Sequence, residues 1–298
     1  MAHRAASRSA PVPAPPPAAF STLERDGFAV LTRALPPEHL RRLAGDLEPH
    51  FERAPFCEGG FYGGRTKRFG RLLVRSNHSD DLVRHPGILD LAERVLGPWC
   101  DRIQLNLTQA IAIHPGAPAQ LPHRDQDMWR GVVGEVEYLL NVIWPLTPFR
   151  AKNGATLVWP ASHGPRALDA EPREGPVAIE LDPGDALVFL GSTLHGAGAN
   201  RTQGERRGII ISYCLGWLKP YENQWLAYPP EVARSFPKPL SELVGYTQHR
   251  PNLGNFEGQC PSVLFDDGPD VPRAAIDALR PDQQRLLNDY LLAQEQGE

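Results

Sequence analysis

The segment Ile103-Gln-Leu-Asn-Leu-Thr108 alternates apolar and polar side chains and is the clearest indication of the fold class. Alternation with a period of two predicts a β-strand that buries one face. A turn sequence, Asp182-Pro-Gly-Asp185, separates two of the later apolar runs. Short runs with turn signals at this density favour a β-sandwich or barrel over alternating βαβ units. The further predicted strands are Tyr138–Trp144, Ala155–Trp159, Val177–Leu181, Ala186–Leu190 and Gly208–Leu215.

The sequence on either side of these runs has mostly helical spacing. A capping-box pattern at Ser21-Thr-Leu-Glu24 predicts the start of a short helix, and Phe28–Leu31 predicts a strand. Pro36–Arg53 and Ser79–Leu96 have the apolar spacing of helices. Pro281–Gln294 predicts an amphipathic C-terminal helix, whose apolar side would be formed by Leu286, Leu287, Tyr290 and Leu291.

These patterns predict a single folded domain, residues 19–298, which is mainly β with helical decoration. A disordered tail rich in Pro and Ala, residues 1–18, would precede it. Within the domain we expect a helical N-terminal part at 19–100 and a strand core at 101–218. Residues 219–298 would form a Pro-rich cover and the C-terminal helix. Because proline fixes φ, this cover is expected to be stiff rather than a flexible lid.

Composition narrows the class of protein. The chain has 298 residues, of which 41% are hydrophobic and 22% charged, close to the average of soluble globular proteins. Its 31 basic and 35 acidic residues give a net charge of −4, which argues against a nucleic-acid partner. It contains no run of about 20 apolar residues, so a membrane partner is not expected. The four scattered cysteines fit neither a zinc motif nor a disulfide framework, and we expect a cytoplasmic protein.

One His-x-Asp pair has the geometry of a metal site. His123 and Asp125 follow a strand and a Pro-Gly turn, and residues i and i+2 of extended chain point to the same side. His50-Phe-Glu52 lies on a predicted helix, where residues two apart diverge. His78-Ser-Asp80 is more typical of a helix start. A third ligand for the first pair is offered by His195, directly after an apolar strand. Two His and one carboxylate with open positions suit non-haem Fe(II).

An arginine follows the last candidate ligand at the start of another strand. Arg206 would share one face of that strand with Gly208, Ile210 and Ser212, whereas Arg207 would take the opposite face. A rigid guanidinium on a core strand is suited to bind a carboxylate with two hydrogen bonds. The sequence therefore predicts one arginine directed inward and its neighbour directed outward.

Taken in order, these segments resemble the phytanoyl-CoA dioxygenase family of Fe(II)/2-oxoglutarate-dependent oxygenases. His123-x-Asp125 resembles the proximal metal pair, and Asn153–His163 resembles the family's NGA–P-x-SH segment. His195–Asn200 resembles the distal His motif, and Arg206 lies at the offset of the residue that binds the far carboxylate of 2-oxoglutarate. Tyr213–Gln224 resembles the segment after the core in one large branch. The similarity spans roughly residues 20 to 265.

The resemblance implies a double-stranded β-helix, a cupin-like jelly-roll, with Fe(II) at one open end. It implies His123, Asp125 and His195 as metal ligands, 2-oxoglutarate as cosubstrate and O₂ as co-reactant. Gln120, Thr156 and Arg68 are further implied contacts of 2-oxoglutarate, with Asn106 and Thr108 as alternatives to Arg68. No catalytic residue beyond the metal ligands is implied. Halogenases of the family lack the carboxylate ligand, so the presence of Asp125 favours hydroxylation or a related oxidation over halogenation.

The expected substrate is a small organic molecule, either a secondary metabolite or an acyl derivative. Three segments, 56–75, 126–134 and 217–236, are expected to shape its pocket. The candidate pocket residues are Phe61, Tyr62, Met128, Trp129, Trp217 and Trp225. The C-terminal helix could pair with a copy of itself or fold back, so both a monomer and a homodimer fit the sequence.

Two other functions fit part of the pattern. A cupin-like metalloenzyme that does not use 2-oxoglutarate would need His123, Asp125 and His195 but not Arg206. A non-catalytic jelly-roll binding protein would need none of these residues.

Overall fold

The computed structural model describes residues 17–296. Residues 1–16, which include most of the predicted tail, lie outside the described residues. The core has nine strands: β1 (Phe28–Leu31), β2 (Thr66–Phe69), β3 (Ile103–Ile113), β4 (Leu139–Pro145), β5 (Thr156–Val158), β6 (Val177–Ile179), β7 (Ala186–Leu190), β8 (His195–Ala197) and β9 (Arg206–Leu215).

The nine strands form two antiparallel sheets. The larger sheet has six strands in the order β1-β7-β4-β9-β3-β2, and the smaller has three in the order β6-β5-β8. An isolated bridge between His123 and His195 adds the chain around residue 123 to the open edge of β8. The sheets pack together through Phe149, Val158, Leu181 and Phe189, all fully or almost fully buried. The two antiparallel sheets confirm the mainly β fold predicted from the strand patterns and the jelly-roll that the family resemblance implied.

Eight α-helices decorate the sheets: α1 (Pro17–Asp26), α2 (Pro37–Arg53), α3 (Ser79–Val83), α4 (Pro86–Leu96), α5 (Gln224–Ala227), α6 (Pro230–Ala233), α7 (Lys238–Leu243) and α8 (Pro281–Glu295), all within residues 17–296. On α2, Leu40, Leu43, Leu47 and Phe51 are buried against the outer face of the larger sheet. Their spacing of three and four residues is the reason that this segment is helical.

Several predicted boundaries are wrong. The first helix begins at Pro17 rather than Ser21, so the capping-box pattern lies inside it. The predicted helix Ser79–Leu96 is two helices, because Pro86 disfavours helical backbone at the residue before it. His85 caps the second one by accepting a hydrogen bond from the Ile88 N–H. β3 continues five residues beyond the predicted end at Thr108, and β2 was not predicted.

The C-terminal helix forms where predicted, but its apolar side is not packed. No residue of α8 is buried, and Leu286 and Tyr290 are 71% and 59% exposed. Across residues 17–296, none of the helices has the length and apolar character needed to cross a membrane.

The contrast between α2 and α8 gives a stability prediction. Leu47→Ala, which empties a fully buried position, should lower the free energy of unfolding by about 2–5 kcal/mol. Leu286→Ala makes the same chemical change at an exposed position and should alter it by less than about 0.5 kcal/mol. Urea denaturation measures both values. Equal losses would show that α8 is packed in solution.

Candidate active site

Three potential metal ligands lie close together beside β8, the edge strand of the smaller sheet. His195 begins β8, and His123 lies beside it on the neighbouring chain. Asp125 follows two residues after His123. The three ligand atoms lie within 4.8 Å of one another. Nε2 of His123 is 3.3 Å from Asp125 Oδ1, and Nε2 of His195 is 3.5 Å from Oδ2.

Backbone carbonyls orient both imidazoles. Nδ1 of His123 lies 2.9 Å from the Leu121 oxygen, and Nδ1 of His195 lies 3.0 Å from the Thr193 oxygen. A carbonyl only accepts hydrogen bonds, so each neutral ring must carry its proton on Nδ1. This leaves both Nε2 lone pairs directed at the position between the three side chains, as metal ligation requires. The donor set therefore fits a divalent metal such as Fe(II).

The carboxylate is held by an amide from the other sheet. Asn141, on β4, donates a hydrogen bond of 3.0 Å from Nδ2 to Asp125 Oδ2. Burial acts to raise the pKa of Asp125, but His195, His123 and Arg68 together hold it below its usual range. Asp125 is therefore ionised at neutral pH, as a ligand must be. Sequence reasoning missed Asn141, because nothing in its strand distinguishes it from another buried polar residue.

Gly198, which follows β8, allows the backbone at Ala155 to approach closely. A Cβ at Gly198 would lie 2.8 Å from the Ala155 carbonyl oxygen. This spacing keeps the loop that carries Asn153 and Gly154 against the chain that follows β8.

Arg206 lines the same cavity as His123, Asp125 and His195, and no carboxylate among residues 17–296 forms an ion pair with it. It begins β9, is only 4% exposed, and stacks on the Phe149 ring at 3.7 Å. One N–H approaches Thr156 Oγ1 at 3.4 Å, and Nε has no hydrogen-bond partner among the described residues. Burial, with a contribution from Arg68, lowers its pKa to about 9, which leaves it charged at neutral pH. An isolated buried cation is costly, so this cavity is suited to an anion.

Arg207 takes the opposite face of β9, as the alternation predicted. Its guanidinium packs on Phe51 of α2 and forms ion pairs with Glu48 and Glu205.

Two further predicted cosubstrate contacts lie in the cavity. Arg68 is directed into it from β2, donates to Gln109 Oε1 at 3.1 Å, and lies over the Tyr62 ring. Burial lowers its pKa, and its Nε also has no partner among the described residues. Gln120 accepts a hydrogen bond from the Ala197 N–H. Of the alternatives to Arg68, Asn106 lines the cavity, whereas Thr108 bonds to Tyr228 and Leu72 away from it.

Half of the predicted substrate residues are in this cavity. Phe61, Tyr62 and Met128 line it, and the Phe61 ring contacts the His123 ring with centroids 4.8 Å apart. Tyr221 belongs to the predicted pocket segment 217–236, although it was not among the candidate pocket residues, and its hydroxyl forms a hydrogen bond with the Tyr62 hydroxyl at the mouth of the cavity. Its position beside Tyr62 depends on a contact 159 residues apart in sequence.

The other three predicted substrate residues do not line this cavity. Trp129 packs against the main core and donates its indole N–H to the Lys219 carbonyl. Trp217 and Trp225 lie on the outer side of the segment that carries Tyr221, around a separate cavity. Which cavity these tryptophans face depends on the path of the chain around them, which local sequence does not determine.

A second group of potential ligands occurs at the helical surface. His39, His78 and Asp81 have ligand atoms within 4.8 Å of one another. The Nε2 of His39 is bonded to the His78 carbonyl, and the Asp81 side chain is half exposed. Among residues 17–296, no buried arginine without a partner lies beside this group, so it does not compete with the first as an active site.

Comparison with known proteins identifies relatives across most of the chain. The model of the family "Phytanoyl-CoA dioxygenase (PhyH)" matches residues 23–208. The dioxygenase FrzG of a Cladobotryum species is 32% identical over 270 residues, covering 81% of this chain and 88% of that protein. The multifunctional dioxygenase ausE of Penicillium brasilianum is 27% identical over 270 residues, covering 85% and 89%.

Solved structures share the fold. SnoN, a non-haem α-ketoglutarate-dependent epimerase from nogalamycin biosynthesis, superposes with a TM-score of 0.57 at 20% identity, covering 67% of this chain and 82% of its own. HygX from Streptomyces hygroscopicus, solved with nickel and 2-oxoglutarate bound, has a TM-score of 0.56 at 13% identity, covering 70% and 91%. At these low sequence identities, the structural similarity shows that the jelly-roll fold is shared and nothing more.

The match to the family model includes both candidate metal-ligand segments and ends two residues after Arg206. The dioxygenase FrzG, at 32% identity, is matched over 88% of its length. This chain therefore belongs to the phytanoyl-CoA dioxygenase family of Fe(II)/2-oxoglutarate-dependent oxygenases and is an oxidoreductase of that type.

Proposed function

We propose that His123, Asp125 and His195 hold Fe(II) and that the enzyme oxidises, by hydroxylation, a C–H bond of a small organic molecule. 2-Oxoglutarate would be the cosubstrate, with succinate and CO₂ as products. The observation that carries this proposal is the buried Arg206 guanidinium, which has no carboxylate partner in the described part of the chain and lies in the same cavity as the three candidate ligands. A dicarboxylate that spans the cavity can pair one carboxylate with Arg206, and its other end still offers two oxygen atoms to the metal.

The residues around Arg206 would bind the two ends of the cosubstrate. Arg206, with the Thr156 hydroxyl beside it, would bind the far carboxylate deep in the cavity. Arg68 and Gln120 lie in the same cavity and would bind the end near the metal. The bound iron, cosubstrate and O₂ supply the oxidation itself, and the protein supplies position and electrostatics.

Other side chains keep the ligands in place and limit access of water. Asn141 holds the Asp125 carboxylate, and the Phe189 ring packs on the His195 ring with centroids 4.6 Å apart. Phe61 covers His123 on the side of the mouth. Ordered ligands shielded by aromatic rings confine the oxidation to a substrate bound within the cavity.

The mouth indicates the kind of substrate. Phe61, Tyr62, Met128 and Tyr221 form a largely apolar rim, which suits a small organic molecule. The names of relatives, such as a multifunctional dioxygenase and an epimerase of nogalamycin biosynthesis, support a secondary metabolite as the substrate class. We further propose that the enzyme acts in the cytoplasm as a monomer or homodimer, as one domain in which residues 219–298 cover the core.

Anaerobic reconstitution tests the ligands and the cosubstrate together. With Fe(II) and 2-oxoglutarate, the wild-type protein should show the weak visible charge-transfer band of the chelate. His195→Ala should lose the band, because it loses a ligand. Arg206→Ala should weaken the affinity for 2-oxoglutarate at least about 30-fold, since losing the partner of a buried charge pair costs about 2 kcal/mol or more.

The matched control is Arg207→Ala, which removes the neighbouring arginine on the opposite face of the same strand. Its band and its affinity should equal those of the wild type. If the protein binds iron without showing the band, and Arg206→Ala does not change iron binding, the result would favour the cupin-like metalloenzyme. Failure to bind iron would leave the non-catalytic jelly-roll.

Arg206 should lower the stability of the ligand-free protein while providing affinity for 2-oxoglutarate. Arg206→Met replaces a buried, unpaired cation by an apolar chain and should raise the free energy of unfolding of the ligand-free protein by about 1 kcal/mol or more. The same variant should lose the increase in Tm that 2-oxoglutarate gives to the wild type. Thermal melts with and without 2-oxoglutarate measure both effects. A ligand-free variant less stable than the wild type would contradict the assignment of Arg206 as an uncompensated charge.

A further inference from the structure

The second group of potential metal ligands lies where two helices begin. His39 is in the first turn of α2, His78 immediately precedes α3, and Asp81 is in the first turn of α3. One ligand atom of each lies within 4.8 Å of the others. His78 and Asp81 are three residues apart, a spacing that brings side chains together on one helical turn. The neighbouring carboxylate, Asp80, is paired with Arg84 instead.

The ring of His39 is held in one orientation by the chain. His39 is only 8% exposed, and its Nε2 lies 3.0 Å from the His78 carbonyl oxygen. Since a carbonyl only accepts hydrogen bonds, Nε2 carries the proton, and in the neutral ring Nδ1 bears a lone pair. This Nδ1 lies 3.6 Å from Asp81 Oδ2, beyond hydrogen-bond distance. Two acceptor atoms thus lie near each other with a gap that a cation can bridge.

The width of this gap suits a zinc ion. Zn²⁺ binds imidazole nitrogen at about 2.0–2.1 Å and carboxylate oxygen at about 2.0–2.2 Å, in tetrahedral geometry. Two ligand atoms at such distances lie roughly 3.4 Å apart, close to the 3.6 Å between His39 Nδ1 and Asp81 Oδ2. Both ligands could therefore bind one ion with only a small movement.

His78 is positioned to supply the third ligand. Its backbone is fixed on both sides, because its N–H donates to Ser76 Oγ at 3.1 Å and its carbonyl accepts from His39. Its ring lies edge-on to the His39 ring, with centroids 5.2 Å apart. Within residues 17–296 this ring forms no hydrogen bond, so its nitrogens are available for coordination.

We propose that His39, His78 and Asp81 form a second metal site, for Zn²⁺ or a divalent cation of similar ligand preference, which joins the starts of α2 and α3. Two imidazoles and one carboxylate suit Zn²⁺, whereas Mg²⁺ and Ca²⁺ select oxygen ligands. Asp81 is half exposed, so water can complete the coordination. None of the three residues lines the catalytic cavity, and the role of the ion would be structural.

Zinc binding by the full chain tests the proposal in His123→Ala/His195→Ala, which lacks both imidazoles of the catalytic site. We expect this background chain to bind one Zn²⁺ by isothermal titration calorimetry. His78→Ala or Asp81→Asn, added to the background, should weaken the affinity at least tenfold, because each removes a ligand. Both positions are partly or fully exposed, so these variants should keep the fold.

His50→Ala is the matched control, since His50 is a partly buried histidine near the other end of α2, beside Arg75. It should leave the zinc affinity of the background chain unchanged. Zn²⁺ should also raise the Tm of the background chain, and His78→Ala should abolish this increase. An excess of Mg²⁺ of about 100-fold should not compete.

Three outcomes would overturn the proposal. Failure of the background chain to bind zinc would leave only an ion pair between His39 and Asp81. Equal zinc affinity in the background chain, His78→Ala and Asp81→Asn would place the ion elsewhere on the chain. Competition by Mg²⁺ would exclude imidazole ligands. Since the catalytic imidazoles are already removed, each outcome is independent of the proposed reaction.

Discussion

The site depends on one buried cation that the fold itself does not neutralise. Arg206 enters the space between the two sheets at the start of β9 and stacks on Phe149, whereas Arg207 is satisfied by Glu48 and Glu205 outside. Two adjacent arginines thus have opposite environments because side chains of a strand alternate. A buried charge without a partner costs stability, and in an enzyme that binds a dicarboxylate the ligand offsets this cost.

The positions of the three candidate metal ligands depend on both sheets. His123 and His195 are held side by side at the edge of the smaller sheet, each with its proton directed to a backbone carbonyl. Asp125 is held by Asn141 of the larger sheet. A change in the packing between the sheets would therefore alter the relative positions of the carboxylate and the two imidazoles. The aromatic layer that includes Phe149 and Phe189 keeps that packing fixed and also contacts Arg206 and His195.

Local sequence patterns predicted much of the fold correctly and failed at recognisable places. The continuous apolar run Ala186–Leu190 matches a strand that is buried on both faces, and the apolar spacing of the helix from Pro37 to Arg53 matches the one face that it buries. The break before Pro86 was missed because apolar spacing continues across it, although the effect of proline on the preceding residue could have located it. The apolar residues of α8 have helical spacing but pack on nothing in the described chain, so periodicity there predicted the helix and not its burial.

The sequence by itself determined which side chains share a face: His123 with Asp125 in extended chain, and Arg206 opposite to Arg207. Such relations follow from backbone geometry over a few residues, which local sequence controls. The meeting of His195 with His123, the support of Asp125 by Asn141 and the contact between Tyr62 and Tyr221 were decided only by the tertiary structure. So was the placement of Trp217 and Trp225 outside the catalytic cavity. These contacts join residues far apart in the chain, and they exist because two sheets and their covering segments pack in one particular way.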